Sequence, residues 1–292
     1  MRNPRAVLGI IGGSGLYDLP GLVAMQREEV STPFGDPSDA LISGRLGDQD
    51  VVFLSRHGAG HRLSPSEIPY RANVYALKQF GVKRIVSVSA VGSMVEAIAP
   101  GHLVLPLQYI DRTVARKNTF FGEGVVAHVA FADPVCPQFH DYLKAACFAA
   151  GATVHPLGTY VCIEGPQFST RAESELYRSW SVDVIGMTAL PEAKLAREAE
   201  LCYATLALAT DYDVWHPGHE AVTVAQVVET MRKNITLARE IIRNAILGYD
   251  RIRDRNCKCA HALDSAVMTE PARIPKAARE RLALFLGDRF KA

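Results

Sequence analysis

Asp211 and Asp213, in the stretch ATDYDVWH, follow an apolar run that reads as a buried strand. If the backbone stays extended, the two carboxylates share one face. Carboxylates this close resist double ionisation, so one tends to keep its proton and the pair can both donate and accept. A 6-aminopurine edge asks for that combination, because its N7 accepts and its N6 donates. The same D-x-D spacing also suits metal ligands or a turn, and the pair alone leaves all three open.

A second set of residues has the chemistry of an anion site. The stretch LGIIGGSGLYD at residues 8–18 runs from apolar residues into closely spaced glycines around Ser14. Such a loop brings bare backbone N–H groups near an anion. It fails as a dinucleotide fingerprint, since Asp18 stands where the third glycine belongs, and no lysine follows Gly15 as a P-loop requires. A tight turn or a free phosphate remains. Further donors stand at other strand ends: Arg56 and His57 in SRHGAGH, Ser89 with the backbone at Ala90 in SVSAVGS, and Thr188 ahead of a helix in GMTALPE. A guanidinium clamps oxyanions well, and a helix N-terminus favours negative charge. In IEGPQFSTRAE, Phe168 could stack on a base and Ser169 could bond its edge; the competing reading makes Phe168 a core residue.

These residues must be positioned by alternating strands and helices. AVLGII reads as a buried strand, and ALISGRL and VVFLSRH as a hairpin around GDQD. YRANVYALKQFG and QFHDYLKAACFAAG have helical spacing and end on glycine. Thr170 and Glu173 form a capping-box pattern, Pro191 suits a first helical turn, and a long helix follows Thr223. RIVSVSAVGS, GTYVCIEG, VDVIGM and LCYATLALAT supply further strands. The order implies an α/β fold with a mixed sheet. Residues 1–248 read as one domain. Residues 249–292 read as an irregular arm with a final helix, PKAARERLALFLG, packing on the same domain or on a neighbouring subunit.

The chain has 292 residues, 48% hydrophobic and 22% charged, with a formal net charge of +1. That is long enough for a sizeable core, and the charge balance does not point to nucleic acid or a membrane surface as partner. No apolar run is long enough for a membrane span, and the N-terminus lacks a signal-peptide pattern, so a cytoplasmic location is expected.

Taken in order over residues 8–216, GIIGGSG, TPFGDPSD, SRHGAGH, SAVGS, IEGPQFSTRAES, GMTALPEAKLAREA and ATDYDVWH resemble the 5′-methylthioadenosine phosphorylases of the trimeric purine nucleoside phosphorylase family. The resemblance implies a single α/β domain whose mixed sheet curls into a distorted barrel surrounded by helices. It implies reversible phosphorolysis of a nucleoside, with inorganic phosphate as co-substrate and no metal or organic cofactor. It assigns phosphate to Ser14, Arg56, His57, Ser89, Ala90 and Thr188. It puts Met187 under the ribose, Phe168 and Ser169 beside the purine, and Asp211, Tyr212 and Asp213 at its edge. Val224 faces the 5′ substituent, Val227 belongs to the same substrate pocket, and His128 reaches a neighbouring subunit's pocket, so a homo-oligomer, trimer or hexamer, is expected. Asp211 is the expected general acid, with Asp213 assisting. A 6-oxopurine enzyme would want a side-chain NH₂ at position 211 to bond O6, so aspartate at both positions favours an aminopurine. A non-catalytic nucleoside binder would have no use for the phosphate donors.

Six cysteines remain. Cys136, Cys147, Cys162 and Cys202 are scattered and read as small buried hydrophobes. Cys257 and Cys259 in CKCAH do not match C-x₂₋₄-C zinc spacing, a redox or disulfide role is set against a reducing cytoplasm, and the pair reads as part of a loop packing over the core or a neighbour, with no metal ligand assigned.

Overall fold

Successive residues of the central strands point into two different cores, and the whole architecture follows from that. The computed structural model describes residues 7–216 and 224–287, with the side chains of Ser14, Val224 and Val227 outside the description. Its strands are β1 (Val7–Gly12), β2 (Leu22–Glu28), β3 (Leu41–Leu46), β4 (Gln49–Ser55), β5 (Val82–Ser93), β6 (Leu103–Val104), β7 (Gln108–Arg112), β8 (Val154–His155), β9 (Thr159–Ile163), β10 (Val184–Gly186) and β11 (Cys202–Tyr212). Its helices are α1 (Tyr70–Gln79), α2 (Pro137–Ala149), α3 (Arg171–Ser179), α4 (Ala189–Glu198), α5 (Val224–Leu247), α6 (Lys276–Arg281) and α7 (Ala283–Leu286). In β11, Tyr203, Ala207 and Ala209 join a core with α1, α4 and the C-terminal arm, while Cys202, Ala204, Leu206 and Leu208 join a second core with α2 and α5. A strand buried on both faces needs a continuous apolar run rather than alternation, which is why LCYATLALAT reads as it does.

The strands form one mixed sheet, ordered β2-β3-β4-β1-β5-β10-β9-β7, with β11, β6 and β8 branching from β5. Parallel pairing joins β4, β1, β5 and β11, whereas β10 runs antiparallel to β5. A large mixed sheet surrounded by helices is what the resemblance implies. The expected hairpin is β3–β4. Helices α1 to α4 fall where the spacing puts them, and Thr170 and Glu173 make the reciprocal capping box.

Four strands have no counterpart in the sequence reading. β6 and β8 span two residues each, too few to show a period, and β2 is a largely exposed edge strand. β7, Gln108–Arg112, carries no buried side chain and so no alternation to read. The final helix is also different: it breaks at Leu282 into α6 and α7, so that Leu282, Phe285 and Leu286 can all turn into the core. The arm from residue 249 packs on the same domain through Tyr249, Leu263, Ala266 and Ile274.

Glu198, at the end of α4, is buried and accepts hydrogen bonds from Thr119 Oγ1 at 2.7 Å and the Phe120 N–H at 2.7 Å. Burial raises its pKa from 4.5 to about 7, against the pull of those two donors. Between those values the folded chain binds more protons than the unfolded one, so stability falls as pH rises through that window. Glu198→Gln, which mimics the protonated acid, is expected to remove a decline of up to about 3 kcal/mol. Urea denaturation of both proteins from pH 4.5 to pH 7.5 measures it.

Candidate active site

β5 pairs along one edge with β1 as far as Ser87, and with β10 only from Gly92 onward. Between those points Val88–Val91 has no strand neighbour on that side among the described residues. Crevices where strands diverge are where open α/β sheets take ligands. The Val88 carbonyl faces the crevice, where it accepts from Arg56 Nη1 at 2.8 Å. Strand alternation sends the Ala90 N–H to the same side. Ser89 adds a buried hydroxyl with no hydrogen-bond partner.

Arg56 follows β4 and donates its backbone N–H to the Gly12 carbonyl at 2.9 Å, so the glycine turn carrying Ser14 lies alongside. Its guanidinium is buried and forked onto Glu192: Nε reaches Oε1 at 2.9 Å and Nη2 reaches Oε2 at 3.1 Å. Nη2 also donates to Ser87 Oγ at 2.7 Å. Burial opposes the charge on Arg56, but the Glu192 carboxylate outweighs it and raises the pKa further above an already high value. Four guanidinium hydrogens are thus engaged, leaving one on Nη1 directed from the crevice wall. Glu192 additionally accepts from Ser87 Oγ at 2.6 Å and Tyr203 OH at 3.0 Å. Glu192 lies four residues after Thr188, past the extended backbone of Leu190; Thr188 is buried and spends no side-chain bond on capping. The ion pair therefore draws the start of α4 and the end of β4 together over β5.

His57 packs its ring against His61, with centroids 4.1 Å apart. Its Nδ1 lies 2.8 Å from the Leu63 carbonyl, which can only accept, so Nδ1 carries the hydrogen and Nε2 is bare. Burial lowers the His57 pKa to about 4, the Leu63 carbonyl opposes this, and the charges of Arg56 and His61 add to it. The ring is neutral near pH 7 and offers an acceptor.

Across Gly92 stand the two carboxylates. A Cβ built on Gly92 would lie 3.2 Å from Asp211 Oδ1 and 3.5 Å from Asp213 Cβ, so glycine is what lets both approach β5. Asp213 is buried, receives Ser174 Oγ at 2.5 Å, and donates its N–H to the Ser93 carbonyl at 3.0 Å. Burial raises its pKa, opposed by Ser174 and the Val214 N–H. Asp211 Oδ2 accepts from Thr210 Oγ1 at 2.7 Å. Burial raises the Asp211 pKa to about 6; Thr210 opposes this and the Asp213 charge adds to it. Tyr212, between them, bonds the Glu96 carbonyl and stacks on His216.

Loop 164–170 and the Met187 turn flank this centre. Gly165 has φ +67°, and a Cβ there would lie 2.5 Å from Met187 Sδ, so the two segments touch only because residue 165 is glycine. Buried Arg116 staples them, donating to the carbonyls of Glu164 at 2.6 Å, Met187 at 2.6 Å and Leu190 at 2.7 Å. Phe168 is 45% exposed and is not a core residue. Ser169 presents a buried hydroxyl without a partner. His128 is exposed and held by its N–H to Ala266. Ser14, Val224 and Val227 sit on described backbone but their side chains lie outside the described residues. Arg56, Ser89, Ala90, Thr188 and the aspartates are thus drawn to one region of β5. His128 instead bonds the C-terminal arm. Two surface clefts, one at Pro20, Arg239 and Arg243 and another at Ser66, Arg71 and Lys117, contain none of the residues predicted from the sequence.

Sequence reasoning missed Glu192, Arg116 and Ser174. Glu192 reads locally as an ordinary first-turn acid, and nothing in the sequence around Arg116 or Ser174 marks their tertiary partners.

The family model of the phosphorylase superfamily matches residues 7–247. The chain belongs to that superfamily. It is 58% identical to the S-methyl-5′-thioadenosine phosphorylase of Geobacter sulfurreducens, over 97% of this chain and 98% of that protein. It is 54% identical to the enzyme of the same name from Koribacter versatilis, over 98% and 97%. Among solved structures it is similar to a methylthioadenosine phosphorylase sourced from an antarctic soil metagenomic library, with a TM-score of 0.91 at 48% identity, covering 97% of this chain and 100% of that one. It is also similar to the methylthioadenosine phosphorylase of Schistosoma mansoni in complex with adenine, with a TM-score of 0.80 at 39% identity, covering 84% and 92%. The superfamily membership and the mixed-sheet fold agree with the resemblance carried by the motifs.

Removing one partner of a buried ion pair leaves an uncompensated charge, whereas removing both leaves none. Glu192→Ala is expected to lower stability by about 3–5 kcal/mol, and the double variant Arg56→Met, Glu192→Leu to recover most of that loss. Chemical denaturation of the two variants beside the wild type checks the difference.

Proposed function

We propose that this chain catalyses the reversible phosphorolysis of 5′-methylthioadenosine to adenine and 5-methylthioribose 1-phosphate. One observation carries the reading: an acid that keeps its proton up to about pH 6, Asp211, faces across Gly92 a crevice walled by Arg56, Ser89 and Thr188. A purine anion leaves poorly from C1′ unless N7 is protonated, and the sugar gains oxocarbenium character as the C1′–N9 bond breaks. Asp211 supplies the proton to N7 and Asp213 accepts from N6. A positioned general acid contributes roughly 10²–10⁴ in rate. Phosphate, bound by Ser14, Arg56, His57, Ser89, Ala90 and Thr188, attacks C1′ from the opposite face. Neutral His57 accepts a hydrogen bond from a phosphate hydroxyl through Nε2. No organic cofactor takes part in this step.

Met187 lies under the ribose, Phe168 stacks on the base beside Ser169, and Tyr212 lines the same edge. Val224 and Val227 pack on the methylthio group, and His128 of one subunit completes the pocket of the next, which makes the active unit a homo-oligomer, most simply a trimer. The chemistry suits purine and methionine salvage in the cytoplasm. A 6-oxopurine substrate is disfavoured because Asp213, set to accept from N6, would meet a second acceptor at O6, and position 211 offers no side-chain NH₂ to bond it.

A panel of methylthioadenosine, adenosine and methylthioinosine, each with and without phosphate, tests the proposal. Methylthioadenosine with phosphate is expected to be the preferred pair. Asp211→Asn should lower kcat/KM for it by about 100-fold or more while shifting the ratio towards methylthioinosine. Adenine release at full rate without phosphate, or an unchanged amino-to-oxo ratio in the variant, contradicts the assignment.

A further inference from the structure

Four cysteines from three distant stretches converge on one point. Cys136 caps the N-terminus of α2, Cys202 opens β11, and Cys257 and Cys259 lie on the arm. Their four sulfurs all lie within 4.8 Å of one another. Among the described residues, no other group of three or more histidine, cysteine, aspartate or glutamate side chains converges in this way. The sequence alone scatters these cysteines as separate apolar residues, because the spacing that matters is tertiary: Cys202 and Cys257, with sulfurs 3.2 Å apart, are separated by 55 positions.

We propose that Cys136, Cys202, Cys257 and Cys259 bind a single structural zinc ion that clips the C-terminal arm to the core. A tetrahedral zinc with Zn–S bonds of about 2.3 Å requires four sulfurs about 3.8 Å apart in every pairing. Disulfides need only proximity two by two, whereas here all four sulfurs are mutual neighbours. Sulfurs within 4.8 Å of one another suit one ion rather than a cluster. All four positions are protein thiolates, which closes the coordination sphere and leaves no place for substrate.

The surroundings match the charge that such a site carries. Four thiols binding Zn²⁺ release four protons and leave a net charge of −2. The Arg84 guanidinium stands close enough to Cys202 and Cys257 to interact electrostatically with both. Cys136 stands at the N-cap of α2, beside the positive end of that helix. Arg84 also donates to the carbonyls of Arg253 at 3.3 Å and Arg255 at 3.0 Å, bringing the arm to the sulfurs. Cys136, Cys202 and Cys259 are buried. Such outer contacts orient and support metal ligands.

Beyond the clip, the arm holds the loop that carries His128. His128 donates its N–H to the Ala266 carbonyl at 2.8 Å, and Met268 donates its N–H to the Val126 carbonyl at 2.8 Å. Zinc at the four cysteines therefore fixes a surface loop through the arm, at a site separate from the crevice on β5.

The test uses the full chain, purified under reducing conditions without added metal or metal-affinity resin. Elemental analysis is expected to find one zinc per chain, released by a thiol-modifying reagent. Cobalt exchanged into the site should show thiolate charge-transfer and tetrahedral ligand-field absorption. Cys257→Ser with Cys259→Ser should retain less than about one-tenth of the zinc and melt at a lower temperature, while Cys147→Ser should keep its full zinc. Wild-type protein that is metal-free with all thiols titratable, that carries iron in place of zinc, or whose intact mass shows disulfides among the four, overturns the proposal. The cobalt spectrum is read on the wild type, so the test does not depend on the variants folding.

Discussion

A buried guanidinium must find a carboxylate, and the Arg56–Glu192 pair is the constraint around which the site is assembled. With both side chains almost fully buried, neither charge is tolerable alone. The pair ties the end of β4 to the first turn of α4 across β5. Ser87, Tyr203 and the Val88 carbonyl complete its hydrogen bonds. Once these elements are tied, Thr188 comes to the crevice at the head of α4. The glycine turn after β1 comes with it, through the bond from Arg56 N–H to Gly12. A planar fork suits this task better than an ammonium, because it can satisfy a carboxylate bidentately and still direct a hydrogen elsewhere.

The second constraint is topological. β5 exchanges β1 for β10 along one edge, and the exchange leaves Val88–Val91 without a strand neighbour there. A backbone edge of this kind must be satisfied by other groups. Arg56 satisfies the Val88 carbonyl, and a bound anion is a natural partner for a neighbouring N–H. The carboxylates enter at the end of the same gap because residue 92 has no side chain. The gap and the two carboxylates are thus brought together where β5 pairs with the end of β11, with α3 supplying Ser174 to hold Asp213 in place.

Much of this was legible in the sequence, and the legible part is local. The glycine turn, the Arg56–His57 strand end, Thr170 with Glu173, and the D-x-D pair each declare themselves within a few residues. The strands from AVLGII to LCYATLALAT are recognisable because burial on both faces demands long apolar runs. What was not legible depends on partners far apart in the chain. Glu192 lies 136 positions from Arg56 and looks like any acid in a first helical turn. Arg116 joins the two segments through the carbonyls of Glu164, Met187 and Leu190, which leave no trace in sequence. The four cysteines match no short motif because their grouping comes from a helix start, a strand start and the arm. β2 escaped notice because an exposed edge strand lacks an apolar face, and the break at Leu282 arises from how the arm turns into the core.

The central claim is that phosphate, bound in the β5 crevice, is the nucleophile at C1′ of the nucleoside. Its most direct test is to run the reaction with methylthioadenosine and ¹⁸O-labelled phosphate in ordinary water, and to analyse the sugar product by mass spectrometry. The account predicts methylthioribose 1-phosphate that retains every labelled oxygen, including the one bonded to C1. Free methylthioribose carrying an oxygen from water would contradict it.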